Sequence, residues 1–394
     1  MPLLQMNFRV LPEKPLVGVE NKTKRLRVSF NNWWNGTMAE SIEVRMSRRM
    51  GFRPTLVRIA NQFRVALGSE PSKLENKRVT VCKDNWLLAE NYMDYYASPT
   101  QVLSDAEVSE FVGELKELQD RLRAEGKAMI FVITPSKAEA YPEYLPEWAL
   151  KERQAYEGES DLERLRRHLA VSGVVVFDTP KYFQQHKNAS PQKFFTKTGI
   201  HWNYYAAFHV WRELLQLVNR EYGKNLPVPE QIGVEYDGPR GTDDDIAKLL
   251  NVFYLPGVED PVAYPIVRTN PLPESARPDF LFAGTSFSRT LVDTLYLTES
   301  GRNCDYLFYK SRYLSHRIPE EKLSAGEHVD PARTNIKGFE SLNWDTTLFD
   351  KEIVVIEMLE IRADELLFGF PKAALAAFKY RSRPDQLAVR PFER

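Results

Sequence analysis

The sequence predicts an α/β fold: a parallel sheet flanked by helices, carrying an N-terminal helical arm. Short, continuously apolar runs recur at residues 129–134, 174–177, 280–283, 306–309 and 353–356. Runs of this length and character suit strands buried on both faces. Segments with helical spacing alternate with them, and alternating β and α elements build a parallel sheet covered on both sides. Residues 1–75 lack this alternation and read as an arm, which leaves 76–394 as the main domain.

In chain order, Asn31-Asn32-Trp33-Trp34-Asn35-Gly36 reads as a turn, and residues 38–67 carry helical periodicity broken at Gly51 and Pro54. Residues 79–89 read as a hairpin with Asp84-Asn85 at its turn. Ser104-Asp105-Ala106-Glu107 is a capping box. Val108, Phe111, Val112, Leu115, Leu118 and Leu122 follow at helical spacing, and Gly126 supplies the stop. Further helices are expected over 162–171 and 204–222. Residues 223–278 hold nine of the 25 prolines and little periodicity, so they read as a long excursion.

A net charge of −1 and a pI near 6.6 exclude a basic nucleic-acid footprint, and nothing in the overall balance resembles a polybasic membrane surface. Cys82 and Cys304 are free thiols or one disulfide; the sequence leaves both open. The six histidines form no ligand cluster, so no catalytic metal and no cofactor are expected. No apolar run approaches the ~18 residues of a membrane span. The first residues lack the apolar core of a signal peptide, which taken literally describes a cytoplasmic chain.

Two motifs carry the chemistry. In the first, the apolar run at 280–283 ends in Gly284-Thr285-Ser286, directly before a helix-like stretch. Such a turn presents a serine hydroxyl at the carboxyl end of a strand, and Gly284 permits the tight turn. N–H groups of the new helix, that of Ser286 first, can stabilise an oxyanion. A helix N-cap is the bland alternative for Ser286. The second motif is Thr198-Gly199-Ile200-His201-Trp202-Asn203, at another helix entry. His201 is a base for Ser286, or else a satisfied buried histidine. The two are 85 positions apart and are expected to meet across the carboxyl end of the sheet.

Together these motifs resemble the periplasmic alginate O-acetyltransferases of the AlgJ/AlgX type, which have an SGNH-hydrolase-like fold. Lys83-Asp84-Asn85-Trp86-Leu87-Leu88, Thr134-Pro135-Ser136-Lys137, Tyr141-Pro142-Glu143-Tyr144-Leu145-Pro146 and Val354-Val355-Ile356-Glu357 extend the resemblance over roughly residues 79–370. It implies acetylation of an exopolysaccharide in the periplasm through a serine acetyl-enzyme, with a membrane-bound O-acyltransferase as donor partner. In that family an Asp stands two residues before the His; here Gly199 stands there. Asp178, Glu357 and the run Asp243-Asp244-Asp245 are candidate substitutes, although the run also reads as a solvated helix start. If residue 199 keeps the family geometry, Gly199→Asp would supply the missing acceptor and raise activity.

Trp202 stacks on a sugar or packs in the core. Tyr141 and Lys137 follow the 129–134 strand at the edge where sites form, and with Arg289 they complete the expected substrate-binding set. Ser288 caps a helix or belongs to the site, and His209 is structural. Two further readings remain. One is a carbohydrate O-acetyl esterase. The other, supported by Gly199, is a catalytically weak or inactive homologue that binds polysaccharide or scaffolds an acetylation complex.

Overall fold

Seven strands form the central sheet of the computed structural model, which describes residues 12–17, 51–67, 79–255, 258, 260–319 and 322–381. The elements that place the site are α1 (Arg53–Ala66), β1 (Val79–Val81), β2 (Leu87–Ala89), α2 (Asp105–Ala124), β3 (Ala128–Thr134), α3 (Asp161–Ala170), β4 (Val176–Asp178), α4 (Tyr204–Tyr222) and β5 (Glu230–Asp237). They continue with α5 (Asp245–Leu249), β6 (Val262–Arg268), β7 (Phe280–Gly284), α6 (Ser288–Leu297), β8 (Cys304–Phe308), β9 (Arg312–His316), β10 (Ala332–Asn335), β11 (Ile353–Leu359) and α7 (Phe370–Arg381).

The spatial order is β10-β9-β8-β7-β11-β3-β4. From β8 to β4 every pairing is parallel, while β9 and β10 extend the sheet antiparallel. All five apolar runs became strands of this sheet. Their side chains alternate between two cores, as the two-residue strand period requires. Ile130, Val132, Phe280, Phe282, Ile353 and Val355 pack under α4 and α6, with Trp211 and Leu291. Met129, Phe131, Ile133, Leu281, Val354 and Ile356 pack under α2, α3 and α7.

Local chemistry sets the boundaries. Ser104 and Glu107 form the expected capping box on α2, and Ser160 with Glu163 form a second on α3. Asn203 caps α4, its Oδ1 accepting from Ala206 N–H at 2.9 Å. The β1–β2 hairpin turns at Asp84 and Asn85, both left-handed with φ 53° and 61°. Pro54 falls in the first turn of α1, where its missing N–H costs nothing. The turn expected at residues 31–36 lies outside the described residues, as does most of the arm.

The expected 223–278 excursion is corrected. β5 and β6 pair antiparallel within it, and Tyr264 is fully buried beside Tyr204, Val262 and Leu297. Pro265 is tolerated in β6 because this sheet has two strands, so each is an edge. The segment also carries α5, which brings Asp245 to the site.

Candidate active site

Ser286 sits in the turn between β7 and α6, at the carboxyl end of the sheet. Its Oγ lies 2.8 Å from Nε2 of His201, which stands just before α4. The other ring nitrogen, Nδ1, lies 2.6 Å from Oδ2 of Asp245. An ionised carboxylate only accepts, so Nδ1 carries the proton and Nε2 is free to accept from the serine hydroxyl. Oδ1 of Asp245 accepts from Ile200 N–H at 2.8 Å, which fixes the carboxylate. Serine, histidine and acid thus form a continuous chain of hydrogen bonds.

The acid is therefore supplied not by position 199 but by a second loop that packs against it. Thr196 and Thr198 both donate their hydroxyls to the carbonyl of Asp243, and Ala247 N–H donates to Thr198 O at 3.1 Å. These bonds zip the 195–201 loop to the 242–247 loop and hold His201 against Asp245. They also explain Gly199. A Cβ there would lie 2.8 Å from Thr196 Oγ1, 2.9 Å from Asp243 O and 3.0 Å from Thr242 O. An added side chain at 199 would meet the backbone that delivers Asp245, so Gly199→Asp is expected to disturb this packing rather than raise activity. Asp178 is paired with Arg166, and Glu357 lies beneath the serine turn, so neither serves His201.

Glu357 is fully buried. It accepts from Thr285 N–H at 2.7 Å and from the hydroxyls of Thr285 and Ser288. Burial pushes its carboxyl up, and these hydrogen bonds pull it back. Gly284 is needed for this close approach: its Cβ would lie 2.5 Å from Glu357 O. Its φ is not positive, so the tight-turn argument is replaced by a packing one. Among the described residues the N–H of Ser286 has no acceptor, and Ser286 lies two residues before α6.

Three expected substrate contacts are corrected by burial. Trp202 is wholly inaccessible; its indole N–H donates to Thr290, and its ring packs edge-on against Phe287 at 5.5 Å. Tyr141 is buried, and its hydroxyl accepts from Phe194 N–H at 2.8 Å. Lys137 is buried, with Nζ donating to the carbonyls of Leu87 and Lys197 at 2.8 Å and of Gly199 at 3.0 Å. The Trp86 ring face lies 4.8 Å away. Burial draws the Lys137 ammonium well below its usual pKa, and Asp245 is the largest opposing charge. Lys137 thus ties the hairpin to the histidine loop. Lys137→Met would strand three buried carbonyls and is expected to cost at least about 3 kcal/mol in urea-unfolding free energy.

Arg289 remains beside the serine. It is half-buried, and no ion pair to it occurs among the described residues. His209 is half-buried, and desolvation draws its pKa down to about 4. Cys82 and Cys304 are free thiols. No group of metal-ligating side chains occurs among the described residues.

Two buried carboxyls set a pH dependence. Asp243 is pushed from 3.8 to about 7 and Glu360 from 4.5 to about 8, both chiefly by burial. Between those limits the folded chain holds protons that the unfolded chain has released. Stability therefore falls as pH rises, by about 1.4 kcal/mol per pH unit for each group still protonated only in the fold. Urea unfolding between pH 5 and pH 8, about the span of the two titrations, should show this decline, and Asp243→Asn with Glu360→Gln should flatten it.

Residues 79–296 match the family model described as SGNH hydrolase-like domain, acetyltransferase AlgX. The chain belongs to this family. The architecture agrees, with a mostly parallel sheet flanked by helices as in the AlgX-type fold. No curated protein sequence matches. Among solved structures, the O-acetyltransferase domain of Pseudomonas putida AlgJ is 16% identical, with 75% of this chain and 99% of that one covered at a TM-score of 0.44. Pseudomonas aeruginosa AlgX is 16% identical over 74% and 67% of the two chains, at 0.41. Bacillus cereus PatB1, solved with a sulfonyl adduct, is 12% identical over 72% and 97%, at 0.42.

Proposed function

We propose that this AlgX-type acetyltransferase domain moves acetyl groups onto a bacterial exopolysaccharide in the periplasm through an acetyl-enzyme on Ser286. The reading is carried by the hydrogen-bonded chain Ser286–His201–Asp245 at the carboxyl end of the sheet. The Ser286 oxygen attacks the acetyl carbonyl carbon of the donor, and its proton passes to Nε2 of His201. The Ser286 N–H, at the positive end of α6, is placed to receive the oxyanion. Collapse breaks the bond to the donor's leaving oxygen, which takes the proton from His201. A sugar hydroxyl then attacks acetyl-Ser286, losing its proton to His201, and the departing serine oxygen is reprotonated. Asp245 holds the tautomer and stabilises the imidazolium throughout.

Arg289, three residues after the serine and without a carboxylate partner among the described residues, is assigned to substrate contact. The donor partner is a membrane-bound O-acyltransferase, and the acceptor is an alginate-like polysaccharide. The hydrogen bond from His201 to Asp245 supports an active enzyme over the inactive-homologue reading. The test is to supply a small acetyl ester with and without alginate oligosaccharides and follow both by mass spectrometry. Acetylated oligosaccharide with the parent and none with Ser286→Ala supports transfer. Hydrolysis unaffected by the oligosaccharides would favour an esterase instead.

A further inference from the structure

One peptide unit of the histidine loop is held at its two ends by opposite charges. At the oxygen end, Gly199 O accepts from Nζ of Lys137 at 3.0 Å. At the nitrogen end, Ile200 N–H donates to Oδ1 of Asp245 at 2.8 Å. The other oxygen of Asp245 lies 2.6 Å from Nδ1 of His201. A continuous path of hydrogen bonds therefore runs from Lys137 through the 199–200 peptide to the acid, the histidine and Ser286.

The charge state of Lys137 follows from its partners. Nζ also donates to the carbonyls of Leu87 and Lys197, both at 2.8 Å. Three carbonyl oxygens take three N–H donors, which an ammonium has and a neutral amine lacks. With every donor spent on a carbonyl, the cation has no carboxylate in direct contact. Asp245, on the far side of the peptide, is its largest opposing charge. A buried cation without a touching counter-ion is costly, and packing alone does not call for one. The direction of the peptide gives the charge a use. Its oxygen faces the cation and its N–H faces the anion, the favourable sense of the dipole. Charges at both ends polarise such a unit, which makes Ile200 N–H a stronger donor to Asp245.

We propose that Lys137 is a positioning residue of the acyl-transfer site: its ammonium polarises the 199–200 peptide, which holds the Asp245 carboxylate aimed at His201. Lys137 itself touches neither substrate nor reacting atoms. This rests on the Ser286–His201–Asp245 reading above and adds a residue to it.

NMR of that one peptide, with kinetics, tests it. Gly-Ile occurs once in the sequence, so carbonyl-labelled glycine with nitrogen-labelled isoleucine gives the 199–200 peptide a single cross-peak. Lys137→Met should move the Ile200 proton and the Gly199 carbonyl signals upfield. Asp245→Asn should also move the Gly199 carbonyl, since both charges act through the same unit. In acetyl-ester hydrolysis Lys137→Met should lower kcat at least about ten-fold with KM little changed, and by far less in the Asp245→Asn background. Urea unfolding of each variant confines the comparison to folded protein. Should the Met variant not fold, Lys137→Gln, which keeps amide donors without the charge, carries the same comparison. An Ile200 proton signal unmoved by loss of the charge overturns the proposal, as do equal losses of kcat with and without the Asp245 carboxylate. A parent that hydrolyses no acetyl ester removes the catalytic reading alone, and the cross-peak then decides whether the Lys137 charge reaches Asp245.

Discussion

Asp245→Asn is expected to lower kcat for acetyl-ester hydrolysis by about 10⁴-fold, the scale on which triads lose activity when the acid is neutralised. The amide keeps the size of the side chain, so KM and the unfolding midpoint should change little. The physical cause is the tautomer. The Asn amide N–H would donate toward Nδ1, which moves the ring proton to Nε2 and leaves Ser286 without an acceptor. The same change removes the negative charge that stabilises the imidazolium. Asp245 also accepts from Ile200 N–H, so a rotamer that keeps this bond through Oδ1 turns the amide nitrogen to the ring. Steady-state rates across pH separate this from a folding defect. An unfolded variant loses activity at every pH along with its unfolding transition, whereas a correctly folded one retains the transition. Activity within a few-fold of the parent would exclude Asp245 as the partner of His201.

Ser286→Ala should remove the reaction more completely, by about 10⁶-fold in kcat, as single nucleophile losses do in serine triads. The hydroxyl is bonded to His201 and partly accessible, and the bracing of the turn passes through Thr285, Ser288 and Glu357 instead. Loss of stability should therefore stay within about 0.5–1 kcal/mol. Activity assays and urea unfolding on the same preparation check both halves of this expectation.

The pattern of the sheet was open to reading because strands buried on both faces must be continuously apolar, and those at 129–134 and 353–356 are. Ser286 and His201 were legible for a related reason. Each sits where a buried element meets a helix, and the turn chemistry is written locally. Asp245 was not. It lies 44 positions from His201, in a run of three aspartates with no spacing signal to single out the one that faces the ring. Asp243 turns inward to Tyr264, its Oδ2 2.6 Å from the phenol oxygen, and Asp244 pairs with Lys248. Three identical residues thus do three different things, and backbone direction alone decides which. The β5–β6 pair was missed because Pro265 and its exposed edges lack the clean alternation of a half-buried strand. Trp202, Tyr141 and Lys137 were expected to face the site, and all three are buried. Chain position gives proximity to a sheet edge, whereas burial depends on what packs over it. For Lys137 the deciding neighbours are three backbone carbonyls, which no side-chain pattern announces.

In the proposed reaction Ser286, activated by His201 and Asp245, carries the acetyl group. Intact-protein and peptide mass spectrometry after brief mixing with a small acetyl ester tests it most directly. A single acetyl adduct is expected on the peptide containing Ser286, absent from Ser286→Ala and formed far more slowly in Asp245→Asn. Turnover of the ester by Ser286→Ala at the parent rate, or an adduct that maps to another residue, would contradict it.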